Sequence, residues 1–179
     1  MKKNYFVPTF VLIVVFFASA VFADDDTLMK FEGGIGVHAV SNVTVAGTPP
    51  VVTVNRNIVR GVQPAGQIWV IRDLEAEVNT NGQIEVKGKG LILGGGNNAG
   101  RATGQSVFAT LICEALAPFT ERNTSLAGVP LTAEGDFKID DVLAPPPPLA
   151  GCASPMLLIR NADGLNWFAV GILKSDTDD

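Results

Sequence analysis

Residues Gln67 to Leu93 read QIWVIRDLEAEVNTNGQIEVKGKGLIL, and their alternation decides the fold class. Strand side chains point to opposite faces with a period of two. Leu74, Ala76 and Val78 therefore share one face, and Asp73, Glu75 and Glu77 the other. After Asn79-Thr80-Asn81-Gly82 the pattern resumes, with Ile84 and Val86 apolar and Glu85, Lys87 and Lys89 polar. A two-residue Asn81-Gly82 turn would oppose Val78 to Glu85 and mix the faces. A three-residue loop, Thr80-Asn81-Gly82 with Gly82 left-handed, opposes Val78 to Ile84 and Ala76 to Val86. It also sets Glu75 against Lys87 and Asp73 against Lys89, each worth about 0.2–1 kcal/mol, at the expense of facing Glu77 with Glu85. Trp69-Val70-Ile71, apolar on both faces, predicts entry into a two-sided interior.

Working outward, the chain opens with Lys2 and Lys3, an apolar run from Tyr5 to Phe17 and the small-residue sites Ala18-Ser19-Ala20 and Val21-Phe22-Ala23. That is the form of a secretory signal peptide, residues 1–23, rather than a membrane anchor, since the run is short and Pro8 interrupts it. Loss of Lys2 and Lys3 leaves 11 basic against 18 acidic side chains, a net charge of −7. Such a domain is a poor partner for nucleic acid or an anionic membrane, and no membrane span follows the leader. Two cysteines remain, Cys113 and Cys152. In an oxidising compartment they are expected to form one disulfide, worth on the order of 3–4 kcal/mol for a loop of this size. A catalytic thiol would need a basic partner that the sequence does not show.

Further along, residues 24–30 read as an acidic tail and Phe31 to Val45 as a strand bent or bulged at its glycines. Gly47-Thr48-Pro49-Pro50 is a turn, and Val51 to Arg60 alternates again. Ser106 to Cys113, SVFATLIC, could be helical, but its β-branched content favours a buried strand. Ala115 to Val129 reads as a loop with a short helical turn. Asp136 to Val142 is a strand with Phe137 and Ile139 inward, and Pro145 to Pro148 a stiff spacer crossing one end of the domain. Ala162-Asp163-Gly164 joins the last hairpin, and residues 174–179 form a second acidic tail. The expectation is a single domain, residues 31–173. It is all-β, an antiparallel two-layer sandwich or open barrel of about eight or nine strands, with Trp69, Phe108, Phe137, Trp167 and Phe168 in its core.

Chemistry is sparse. His38 is the sole histidine, which removes His-rich metal sites and leaves a Ser-His-Asp triad without alternatives, and neither Ser106 nor Ser154 sits in a nucleophile turn. Gly94-Gly95-Gly96-Asn97-Asn98 follows a strand, but no βαβ unit surrounds it. It reads as an exposed loop, and if it has a role, as a ligand loop working through its backbone. Paired acids are harder to exclude. Asp140 and Asp141 go to opposite faces of a strand, and only seven aromatics outlast the leader to line a sugar cleft. Asp136, Asp140 and Asp163 lack a calcium-loop pattern. Asn42 and Asn123 head N-glycosylation acceptor triplets.

Gly66-Gln67-Ile68-Trp69-Val70-Ile71, Gly90-Leu91-Ile92-Leu93, Cys113, Cys152-Ala153-Ser154-Pro155 and Trp167-Phe168-Ala169-Val170-Gly171 together resemble a set of small secreted proteins. These share a W-x-[IL] strand, two spaced cysteines with C-x-x-P at the second, and a W-F-A-V-x-G ending. The likeness spans roughly residues 60 to 172, implies that the two cysteines belong together and brings no activity, no catalytic residue and no cofactor with it. The expected protein is thus secreted, extracellular or periplasmic, and a non-catalytic structural, surface or ligand-binding module for an extracellular protein or a glycan. The alternative is a small polysaccharide-acting hydrolase using a carboxylate pair.

Overall fold

The computed structural model describes residues 27–175. The expected leader at 1–23, residues 24–26 and residues 176–179 lie outside that range. Thirteen strands and no helix are found among the described residues: β1 (Thr27–Gly36), β2 (Val40–Ala46), β3 (Val51–Arg56), β4 (Trp69–Val70), β5 (Asp73–Asn79), β6 (Gln83–Lys89), β7 (Ile92–Leu93), β8 (Ser106–Ile112), β9 (Arg122–Asn123), β10 (Val129–Pro130), β11 (Phe137–Val142), β12 (Met156–Asn161) and β13 (Trp167–Leu173). The main sheet runs β10-β8-β12-β13-β1-β5-β6-β11, with β9 also on β8, and every pairing is antiparallel. Its far edges meet: Asn123 and Ala144 exchange backbone hydrogen bonds of 3.0 and 2.8 Å, and Thr132 N–H donates to Asp136 O at 3.0 Å. Of the two architectures that the alternation allows, this is the barrel, nearly closed.

The β5–β6 hairpin has the register that its two faces demand. Val78 opposes Ile84, Ala76 opposes Val86, and Gly82 turns at φ +89° with its N–H on Asn79 O. The like-charged rung of Glu77 and Glu85 is relieved by lysines on β1, β6 and β11. Lys30 on β1 reaches Glu77 at 3.6 Å, and Lys87 and Lys138 reach Glu85 at 2.9 and 3.2 Å. Lys87 thus bridges to Glu85 rather than to Glu75, while Lys89 and Asp73 pair at 3.6 Å as the register implies. These exposed pairs are worth about 0–1 kcal/mol each, less than the ~1.5–3 kcal/mol of one buried leucine or isoleucine, so the interior dominates. Leu74, Val78, Val86, Leu111, Leu157 and Ile159 are fully enclosed or nearly so there. All five expected core aromatics are buried, together with Phe31.

Beyond Arg72 the hairpin continues in the same register as β4 and β7, with Trp69 opposite Leu93. The ladder is interrupted because a turn from the next hairpin wedges into it. Leu91 N–H donates to Gly135 O, and Gly90 N–H to Asp136 Oδ1, both at 2.9 Å. Gly135 sits at φ +82°, where a Cβ would lie 2.4 Å from Leu91 O. Past this wedge the expected two-sided interior is one-sided: Trp69 is buried but Val70 is 43 % exposed. Trp69 stacks on Phe168 at 4.1 Å between ring centroids.

Several boundaries move. β1 begins at Thr27, so 27–30 is ladder rather than tail: Met29 opposes Val78, Lys30 opposes Glu77 and Thr27 Oγ1 donates to Glu77. The expected irregularity is a bulge between Phe31 and Gly34. At the other end Lys174 N–H still donates to Lys30 O. Ala115 to Val129 contains β9 in place of a helical turn, because Arg122 and Asn123 take up the free edge of β8. Ser106–Ile112 is the buried strand, as expected, and the proline run packs over the Gly82 turn. In the last hairpin the left-handed residue is Leu165, at φ 56°.

Cys113 and Cys152 are bonded, and Ser154 N–H donates to Cys113 O at 2.9 Å. Arg60 reinforces the same corner, donating to Ile112 O at 3.0 Å and to Ser154 O and Oγ at 2.5 and 2.7 Å. Replacing both cysteines by serine is expected to lower the unfolding free energy by about 3–4 kcal/mol in urea titrations. Gly135→Ala should cost about 2–4 kcal/mol in the same assay, whereas Gly95→Ala, with open space around it, should stay within about 0.5 kcal/mol.

Candidate functional site

Four separated segments converge at the Trp69–Phe168 end of the barrel. They enclose an open groove of about 320 Å³. Its polar wall is made of Gln67, Asn98, Gln105, Asn161 and Asn166 with Thr103; Trp69, Phe168 and Leu93 form the floor. The stack on the floor is nearly covered, so it stiffens the groove rather than offering an open ring face.

The last hairpin holds one side. Asn161 Oδ1 accepts from Asn166 N–H at 3.0 Å, and Asn161 Nδ2 donates to Gln105 Oε1 at 3.3 Å. The glycine loop holds the other. Leu93 N–H donates to Arg101 O and Gly100 N–H to Leu93 O, closing the loop on itself, and Gly94 N–H donates to Ile68 O. Of the predicted ligand loop, Gly94 packs beside Ile68 and Val70, Gly96 lies beside the Gln67 amide at φ +78°, Gly95 and Asn97 do not line the groove, and Asn98 does. Gln67, Asn98 and Thr103 are exposed. Among the described residues no ionisable side chain lines the groove.

The other candidates separate. His38 is exposed in the link between β1 and β2. Asp140 is exposed on the outer face, near Lys138 at 3.7 Å, while Asp141 is spent on backbone amides, accepting from Ser125 and Val142 at 2.8 and 2.7 Å. Asp136 accepts from Gly90, and Asp163 lies in the last turn, so the three acids weighed for calcium sit on three different elements. Asn42 is exposed on β2, whereas Asn123 accepts from Thr110 Oγ1 at 2.6 Å and is half-buried.

Two buried arginines have structural partners. Arg160 donates to Glu121 at 2.6 Å and to Leu165 O at 2.9 Å, with its guanidinium 5.2 Å from the Phe108 ring centre. Arg122 donates to Glu114 through both Nη atoms, at 3.4 and 2.9 Å, and to Thr120 O. The hydrogen bond from Arg122 holds the Glu114 carboxyl down to about 2.

Of the groove amides only Asn98 belongs to the loop expected from the sequence; Gln67, Gln105, Asn161 and Asn166 stand at positions that no spacing links to it. Comparison with protein-family models, curated proteins and solved structures finds no match to the chain.

Because the folded carboxyl of Glu114 titrates below its ordinary 4.5, its pair with Arg122 stabilises fully above that value and is lost as pH falls towards about 2. Glu114→Gln should destabilise by about 2–3 kcal/mol at pH 7, leaving Arg122 buried and uncompensated. It should also remove that part of the acid dependence in unfolding titrations run from pH 6 down to about 2.

Proposed function

We propose that the chain is exported through residues 1–23 and acts in the extracellular or periplasmic space as a non-catalytic binding module. Its ligand face is the amide-lined groove, and the ligand is a neutral polyhydroxyl compound, a glycan. The observation that carries this reading is the lining itself: five amides and a hydroxyl with no charge among them. Each amide both donates and accepts, as does a sugar hydroxyl, so the two match without ion pairing. A phosphate or carboxylate ligand would ask for a fixed cation. The Cys113–Cys152 bridge is compatible with an oxidising compartment. The residues behind the likeness to small secreted proteins support the frame beneath the groove, with Trp69 and Trp167 buried in the core.

Titration calorimetry against neutral and acidic oligosaccharides tests it. A neutral glycan should bind, and Gln67→Ala combined with Asn98→Ala should weaken it at least about tenfold, roughly 1.4 kcal/mol, without changing the thermal midpoint. Binding confined to acidic glycans, or left intact by the double variant, would overturn the proposal.

A further inference from the structure

The β2–β3 hairpin stands away from the barrel, and every residue of both strands is exposed. Its register puts Val43 against Val54 and Val45 against Val52 on one face, with the Thr44–Thr53 and Asn42–Asn55 rungs on the other. The four valines are 53–63 % exposed. The alternation that reads as a half-buried strand therefore has nothing to bury against among the described residues. A lone two-stranded hairpin is marginal in water. This one is also rooted firmly, since Arg56 Nη2 donates to Pro64 O and Ala65 O at 2.9 and 3.2 Å and Trp167 Nε1 donates to Asn57 O at 3.0 Å.

We propose that this arm is a self-association surface, and that its valine face is covered by the same face of a second copy of the chain. Charge selects that occupant. The chain carries 18 acidic against 13 basic side chains, yet from Val40 to Arg56 it has no Asp or Glu, and its one ionisable group, Arg56, is tied to the root. Two like-charged copies can meet there without bringing carboxylates together, which the outer face of β5, β6 and β11 does not allow. Geometry agrees with it. Two Val–Val rungs form a compact patch that is complementary to itself across a two-fold axis, as an isologous contact requires. An arm roughly 23 Å long and roughly 10 Å wide covered on one face buries on the order of 300–400 Å² per copy, the size of a weak, reversible dimer rather than an obligate one. The inference does not depend on the groove.

Sedimentation equilibrium of the disulfide-bonded chain, up to about 100 µM, is the test. A dimer is expected. Changing Val43, Val45, Val52 and Val54 together to Thr keeps the strand preference and the shape, and should raise the dissociation constant at least about tenfold. Val45→Cys should give an intermolecular disulfide under mild oxidation. Near-UV circular dichroism of the Trp69–Phe168 stack reports that the barrel is unchanged in each variant. A wild-type chain that stays monomeric throughout, or a dimer that the four Thr substitutions leave as tight, would overturn the proposal. So would a monomer that floats with phosphatidylcholine vesicles through the same valines, since the occupant would then be lipid.

Discussion

The constraint on which the barrel depends is the parity of one hairpin. With a period of two, a slip of one residue between β5 and β6 would send Leu74, Ala76 and Val78 to water and Glu75 and Glu77 to the interior. Gly82 prevents it by taking a backbone conformation that almost no other residue accepts cheaply, and the proline run then packs on that turn. With β5 and β6 fixed, β11 and β1 inherit their inward positions from the flanking ladders. Phe137 and Ile139 fall opposite Gly88 and Val86, and Phe31 falls opposite Ala76. The rest of the sheet follows outward from these rungs.

How far a strand could be read from the residues tracked how one-sided its burial is. β5, β6 and β11 alternate, and their registers, faces and turn were legible. β8 and β12 are buried on both sides and lose the period, so residue type had to speak for them, and for β8 it did. β9 was missed because two residues carry no period at all; what recruits them is the edge of β8 and the Ala144 backbone. β2 and β3 show the converse. Their alternation was visible, but alternation says only that two faces differ, not that the chain itself covers one of them. The groove was hardest, since its amides share no element and meet only after the barrel has closed.

Polar groups inside this fold are costly, and the chain handles them in pairs. Arg122 and Glu114 are held by a two-pronged contact, and Arg160 is shared between a carboxylate, a carbonyl and a ring. Such pairs add little net stability over apolar packing, but removing one member strands the other. They therefore fix the position of the β8–β9 edge more than they strengthen it. That edge is where the barrel closes.

The corner around Arg60 has a kinetic meaning. Its guanidinium ties the end of β8 to Ser154, two residues beyond Cys152, by contacts that owe nothing to sulfur chemistry. If the bridge were reduced in the folded chain, those contacts would keep the two thiols at a high effective concentration, and reclosure would be an intramolecular step largely independent of protein concentration. The disulfide and the guanidinium thus act as a latch and its keeper, one remembering the position of the other.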